Sequence, residues 1–155
     1  MKISPQYLAG VADSDGSFTY GKKWSGQRGK HYFAGQFQIT WKKTPESVDF
    51  FEALVEKYGG SYFGDKTTKT YNRNGTDIIK YCATGEAVVK ICKDVLPYLI
   101  LKPERAQIVL DGAKLKEGNW GVKGKPQHIW DEEDRLYQLM KQQHGKEKTC
   151  YSLGR

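Results

Sequence analysis

The stretch YLAGVADSDGSF, residues 7 to 18, decides how the rest of the chain is read. An apolar run diluted by Ala9, Gly10 and Ala12 leads into two aspartates two apart, Asp13 and Asp15, then Gly16 and a strand-like Ser-Phe-Thr-Tyr. Ser4 is a good N-cap and Pro5 suits the first helical position, so a helix is predicted from about residue 5 to Ser14, stopped by Asp15-Gly16. Gly10 and Ser14, four apart on one helical face, would let another backbone come close. Taken alone, an Asp-Gly pair after a helix is a polar turn.

Working outward, strands are predicted over residues 17 to 24 and 31 to 42, joined by the loop SGQRGK. In the second, Phe33, Phe37, Ile39 and Trp41 alternate with Gln36, Gln38 and Thr40, the pattern of a half-buried strand with an amide-bearing face. Thr44 caps a helix opened by Pro45, striped by Val48, Phe51, Leu54 and Val55 and stopped at Gly59-Gly60. Two strands flank the turn Asn72-Arg73-Asn74-Gly75. The period of the later one, TDIIKYCAT, leaves open whether Asp77, Ile79 and Tyr81 or Ile78, Lys80 and Cys82 face outward. One helix begins at Gly85 and runs through Val95, and another starts at Lys102-Pro103 and stops at Gly112 or slightly later. A Gly-rich loop, KEGNWGVKGKPQ, precedes a last amphipathic helix from Asp131 to Gln143 with Leu136, Leu139 and Met140 inward. This order predicts an α+β domain: an antiparallel four-stranded sheet, helices on one face, the other face open.

At 155 residues the chain is long enough for one well-buried domain. Its core is expected at about residues 4–115, with a loop and helix over 116–145 and a basic tail, 146–155, that orders only on a partner. No run approaches the ~20 apolar residues of a membrane span, and MKISPQYL lacks the form of a signal peptide. An intracellular protein with no membrane partner is expected. Cys82, Cys92 and Cys150 contain no C-x-x-C pair and are read as reduced, mostly buried thiols. Against 18 Asp+Glu stand 25 Lys+Arg, a net charge of +7, and Lys, Arg, Gln, Thr and Tyr interleave from Thr19 to Lys80. Such side chains spaced along strands reach phosphates and base edges. The acidic run Asp131-Glu132-Glu133-Asp134 opens a helix, where the dipole favours it, and is not read as a metal site.

LAGVADSDG, Leu8 to Gly16, resembles the LAGLIDADG motif of homing endonucleases, matching at Leu, Ala, Gly, both aspartates and the final Gly. The S-F-T-Y strand, the FQIT strand feeding a helix with ALVEKYG, and LPYLILKPERAQ also look like the single-motif branch of that family, over most of residues 5 to 115. The resemblance implies an αββαββα core whose sheet forms a DNA-binding saddle. It implies a sequence-specific, Mg²⁺-dependent double-strand endonuclease, Mn²⁺ or Ca²⁺ being possible substitutes, with no small-molecule cofactor. Because the motif occurs once, the enzyme is expected to be a homodimer on a long pseudo-palindromic site, with Ala9, Gly10, Ala12, Asp13 and Ser14 at the interface.

Asp15 is then the metal ligand, with the Ser14 carbonyl as a second hard oxygen, while Asp13 caps or positions locally. Lys102 falls on the family's lysine and is assigned a catalytic role, orienting water and offsetting charge. Around the metal the chain departs from its relatives. Trp41 stands where they often carry Gln, Ser47 or Pro45 where an Arg stands, and Lys42 or Lys43 is the expected catalytic substitute. Thr19, Lys23, Gln36, Gln38, Thr40, Lys66 and Lys80 are the expected DNA readers on the strands, and Arg28, Lys30 and Arg73 the phosphate contacts in the loops. The alternative is a non-cleaving protein of the same fold, an intron RNA maturase or a DNA-binding regulator.

Overall fold

A computed structural model describes residues 1–64, 77–118, 120 and 124–152, with side chains described through residue 145. The hairpin turn at 72–75, with Lys66 and Arg73, lies outside the described residues. The elements are α1 (Pro5–Ser14), β1 (Gly16–Ser25), β2 (Lys30–Lys42), α2 (Pro45–Tyr58), β3 (Ser61–Gly64), β4 (Ile78–Thr84), α3 (Gly85–Val95), a 3₁₀ turn (Leu96–Tyr98), α4 (Pro103–Leu115) and α5 (Gln127–Ser152).

Local chemistry sets the boundaries. Ser4 Oγ accepts from the Tyr7 N–H at 3.2 Å to start α1, as its N-cap position requires. Thr44 and Ser47 form a reciprocal capping box at the start of α2. Gly59 and Gly60, with φ of 88° and 85°, end that helix in the left-handed region that glycine enters without steric cost.

The sheet is antiparallel throughout, in the order β1-β2-β4-β3. Its register puts Phe18 opposite Phe37, and Ile39 opposite Tyr81. All four are buried, together with Tyr20, Phe33 and Ile79, under the helices. The period of β4 is thereby settled: Ile79, Tyr81 and Ala83 point inward, and Ile78, Lys80 and Cys82 share the opposite face with Thr40 and Gln38. Cys92 is fully buried as expected, and burial pushes its thiol up to about 12. Cys82 departs from the expectation by lying half-exposed on the open face.

Helix α4 ends at Leu115, slightly later than Gly112 as the sequence allows, and a Cβ on Gly112 would lie 2.2 Å from the Tyr20 ring. Two expectations are corrected at the C-terminal side. The last helix begins at Gln127, not Asp131, and includes residues 146–152 of the tail, 146–155, expected to order only on a partner. The acidic run at 131–134 therefore lies inside α5 and does not open it. Glu133 is completely buried and pairs with Lys125, whose Nζ also lies 3.9 Å over the Trp130 ring. Packing continues beyond residue 115, since Leu136 and Met140 belong to the core and Trp130 and Tyr137 lie against Phe33.

Candidate active site and nucleic-acid face

The C-terminal end of α1 is where the described polar side chains from distant parts of the chain converge. Asp15 is the C-cap residue, its N–H donating to the Val11 carbonyl at 2.8 Å, and its carboxylate is exposed. Gly16 follows at once as the first residue of β1. A Cβ on it would lie 2.7 Å from both Ala12 Cα and the Phe37 ring, so the helix-to-strand corner closes only around glycine.

The two aspartates diverge. Asp13 does not act locally: its Oδ2 accepts from the Ile100 N–H at 2.7 Å, and its Oδ1 from those of Leu101 and Lys102 at 3.1 Å each. It therefore pins the segment entering α4 against α1, 87 to 89 residues away in sequence. Asp15 instead faces β2. The Trp41 indole N–H donates to its Oδ2 at 2.9 Å, and the indole packs on Phe50 and Phe51 with ring centroids 5.0 and 5.4 Å away.

Lys102 is brought to the same corner. Its half-buried Nζ donates to the Ala12 carbonyl at 3.1 Å and the Gly16 carbonyl at 2.7 Å. A cation belongs at this helix end, where carbonyls lack intrahelical partners and the dipole is negative. Lys42 and Lys43 are exposed; among the described contacts, Trp41 is the member of this segment that reaches Asp15. Ser47 is buried, its hydroxyl bonded within the α2 cap and to the Lys42 carbonyl. Pro45 is the first residue of α2.

Of the small residues assigned to a helix interface, Ala9 and Ala12 are corrected, because both are buried in the chain's own core. The Asp13 carboxylate is likewise directed into its own chain. Gly10 and Ser14 do lie on the exposed side of α1, and a Cβ on Gly10 would meet nothing within 4 Å. Tyr7, 59% exposed, shares this helix, and Ile100 and Leu101, 83% and 72% exposed, sit on the segment that Asp13 holds against it.

The open sheet face carries Ser17, Thr19, Gly21 and Lys23 on β1, Gln36, Gln38 and Thr40 on β2, and Lys80 and Cys82 on β4. Thr19 pairs with Gln36 in register and Thr40 with Lys80. Lys23 Nζ donates to Gln36 Oε1 at 3.0 Å, and Gln36 Nε2 donates to Cys82 Sγ at 2.8 Å, so the amide is held in one orientation. Arg28 and Lys30 are exposed at the β1–β2 turn. Ser17, Ser61 and Phe63 on this face were not anticipated; Ser61 and Phe63 follow from the pairing of β3 with β4. Alternation around Phe18 and within SYFG was the available signal for Ser17 and Phe63.

No protein-family model and no curated protein sequence matches the chain. Solved structures do. The homing endonuclease I-CvuI, in complex with the I-CreI target, superposes with a TM-score of 0.68 at 20% identity, over 90% of this chain and 80% of that one. The meganuclease I-SmaMI, bound to uncleaveable DNA, gives 0.64 at 23% identity over 88% of this chain, which spans only 44% of I-SmaMI. The homing endonuclease I-TnaI gives 0.60 at 14% identity over 94% of this chain and 99% of that one. The chain thus has the fold of these homing endonucleases.

Proposed function

We propose that the protein is a sequence-specific, Mg²⁺-dependent double-strand DNA endonuclease of the intron-homing type, acting as a homodimer. The observation that carries this reading is the exposed Asp15 carboxylate, held at the end of α1 in a fold whose neighbours include nucleases solved on DNA.

The donor set fits a hard divalent ion. Asp15 offers a carboxylate and Ser14 a last-turn carbonyl, both oxygen donors of the kind Mg²⁺ takes. Among the described residues no three His, Cys, Asp or Glu side chains cluster. This suits Mg²⁺, which is held by one or two carboxylates and completed by water and phosphate rather than by an all-protein cage. Bound there, the ion would supply Lewis acidity to phosphodiester hydrolysis. Asp15 orients and charges the site. Lys102, anchored on the Ala12 and Gly16 carbonyls beside it, adds positive charge at a place where phosphate charge must be balanced.

A single chain carries one such corner, and cutting two strands requires two. Gly10, Ser14 and Tyr7 on the exposed side of α1, with Ile100 and Leu101 alongside, form an apolar, close-approach surface for the same surface of a second copy. Two polar sheet faces then follow the duplex, with Gln36, Gln38, Thr40, Thr19, Lys23 and Lys80 toward base edges and Arg28 and Lys30 toward phosphate.

The test is incubation with a plasmid carrying the joined sequences that flank the open reading frame, in Mg²⁺ and then in EDTA. Linearisation that requires Mg²⁺ is expected, with a solution mass twice that of the chain. Binding without nicking would replace this reading by that of a non-cleaving nucleic-acid-binding protein.

A further inference from the structure

We infer that Trp41 is a positioning residue that limits the Asp15 carboxylate to one-sided metal coordination and so favours Mg²⁺ over Ca²⁺. This rests on the proposed role of Asp15 as a metal ligand. The indole N–H is a donor with no acceptor capacity, and at 2.9 Å from Asp15 Oδ2 it makes an ordinary N–H···O bond to a charged acceptor.

Both partners are fixed before any ligand arrives. The indole cannot swing, because Phe50 and Phe51 pack on it at interplanar angles of 33° and 16° and its backbone is paired with Ile79 in the sheet. The Asp15 backbone is fixed by its N–H bond to Val11 and by Gly16, whose position tolerates no Cβ, and its carboxylate is oriented by the indole bond. The carboxylate therefore has one oxygen engaged by a stiff donor and the other turned away from it. A cation approaching through both oxygens would have to share Oδ2 with the indole proton. Ca²⁺, with six to eight ligands, uses carboxylates in bidentate as well as monodentate fashion; Mg²⁺ demands tight octahedral geometry, in which a carboxylate can supply one oxygen and water and phosphate the rest. Hydrogen bonds to a metal's ligands commonly tune its affinity severalfold or more.

Two substitutions separate this role from mere packing. Trp41→Phe keeps an aromatic ring against Phe50 and Phe51 and removes the donor. In the plasmid assay, the Ca²⁺ concentration that halves Mg²⁺-supported cleavage is expected to fall about tenfold; unchanged Ca²⁺ tolerance would overturn the proposal.

The second readout uses the intact protein without DNA. In proton–nitrogen spectra of the four indoles, the Trp41 signal, identified by its loss in Trp41→Phe, is expected to shift upfield and exchange faster with water in Asp15→Asn. Mn²⁺ is expected to broaden it before those of Trp24, Trp120 and Trp130, and to lose that preference in Asp15→Asn. An indole signal indifferent to Asp15→Asn, in a variant that no longer cleaves, would end the role of Trp41 while leaving the endonuclease reading intact. Full cleavage by Asp15→Asn would end both.

Discussion

Two junctions meet at the end of α1, and they use the same residue type in opposite ways. On the α4 side, Asp13 gives both oxygens to three backbone N–H groups and is half-buried. On the β2 side, Asp15 keeps its carboxylate exposed and meets one indole donor. Two positions along a helix amount to about 200° of rotation, so neighbours in the motif address different parts of the fold. The first junction spends its charge on architecture. The second retains charge in reach of solvent, where a cation and a phosphate can use it.

The sharpest way to break this comparison is Asp15→Asn. Cleavage is expected to fall on the order of 10³-fold, while the melting temperature stays within roughly 3 °C because only one side-chain hydrogen bond is weakened. Plasmid linearisation and a thermal melt decide it, and a large loss of stability would erase the division of labour between the two carboxylates.

Asp13→Ala should show the reverse weighting. Three N–H groups lose their charged acceptor, at a cost of about 2 kcal/mol and a fall in Tm of roughly 4–8 °C. Any loss of cleavage should be recovered in part at lower temperature as the α4 segment settles. Gly16→Ala strains the corner that both junctions share. Overpacking of this kind costs about 1–3 kcal/mol, measurable as a lowered denaturant midpoint with little change in slope.

Lys102→Met sharpens the comparison, since this residue belongs to both junctions. Loss of its bonds to the Ala12 and Gly16 carbonyls should cost about 1–2 kcal/mol in a melt, whereas a structural role alone would leave the cleavage rate per folded molecule untouched. A drop in that rate at a temperature where the variant is folded supports its place in the chemistry.

The smallest effect concerns neither junction and serves as the control. Burial raises the Cys92 thiol from about 9 to about 12 and raises the hydroxyl of Tyr81 as well. The unfolded chain therefore loses these protons first, so stability is complete below about pH 9 and declines as pH rises toward 12. Asp15→Asn should leave this decline in Tm unchanged.

Much of the architecture follows from local rules. Ser4-Pro5 and Thr44-Pro45 start helices where capping chemistry demands, and alternation from Phe33 to Trp41 assigns one face of β2 to the core. Where local rules compete, the sequence misleads. Gly112 has the form of a helix stop, but of the two ends the sequence allowed the helix takes the later, Leu115, and at Gly112 the Tyr20 ring, 92 residues earlier, occupies the space a side chain would need. The run at 131–134 has the form of a helix start, yet the helix begins at Gln127 and Glu133 turns inward to Lys125.

The same division holds at the site. The sequence by itself determined that a helix would deliver two carboxylates to a helix-to-strand corner, because cap, period and glycine are properties of consecutive residues. Only the tertiary structure decided what each carboxylate meets. The N–H groups of residues 100–102 and the indole of Trp41 reach α1 through the packing of α4 and β2, and contacts across 26 to 89 residues leave no local pattern. The small residues of α1 divide for that reason: Ala9 and Ala12 are buried inside the chain, while Gly10 and Ser14 remain outside.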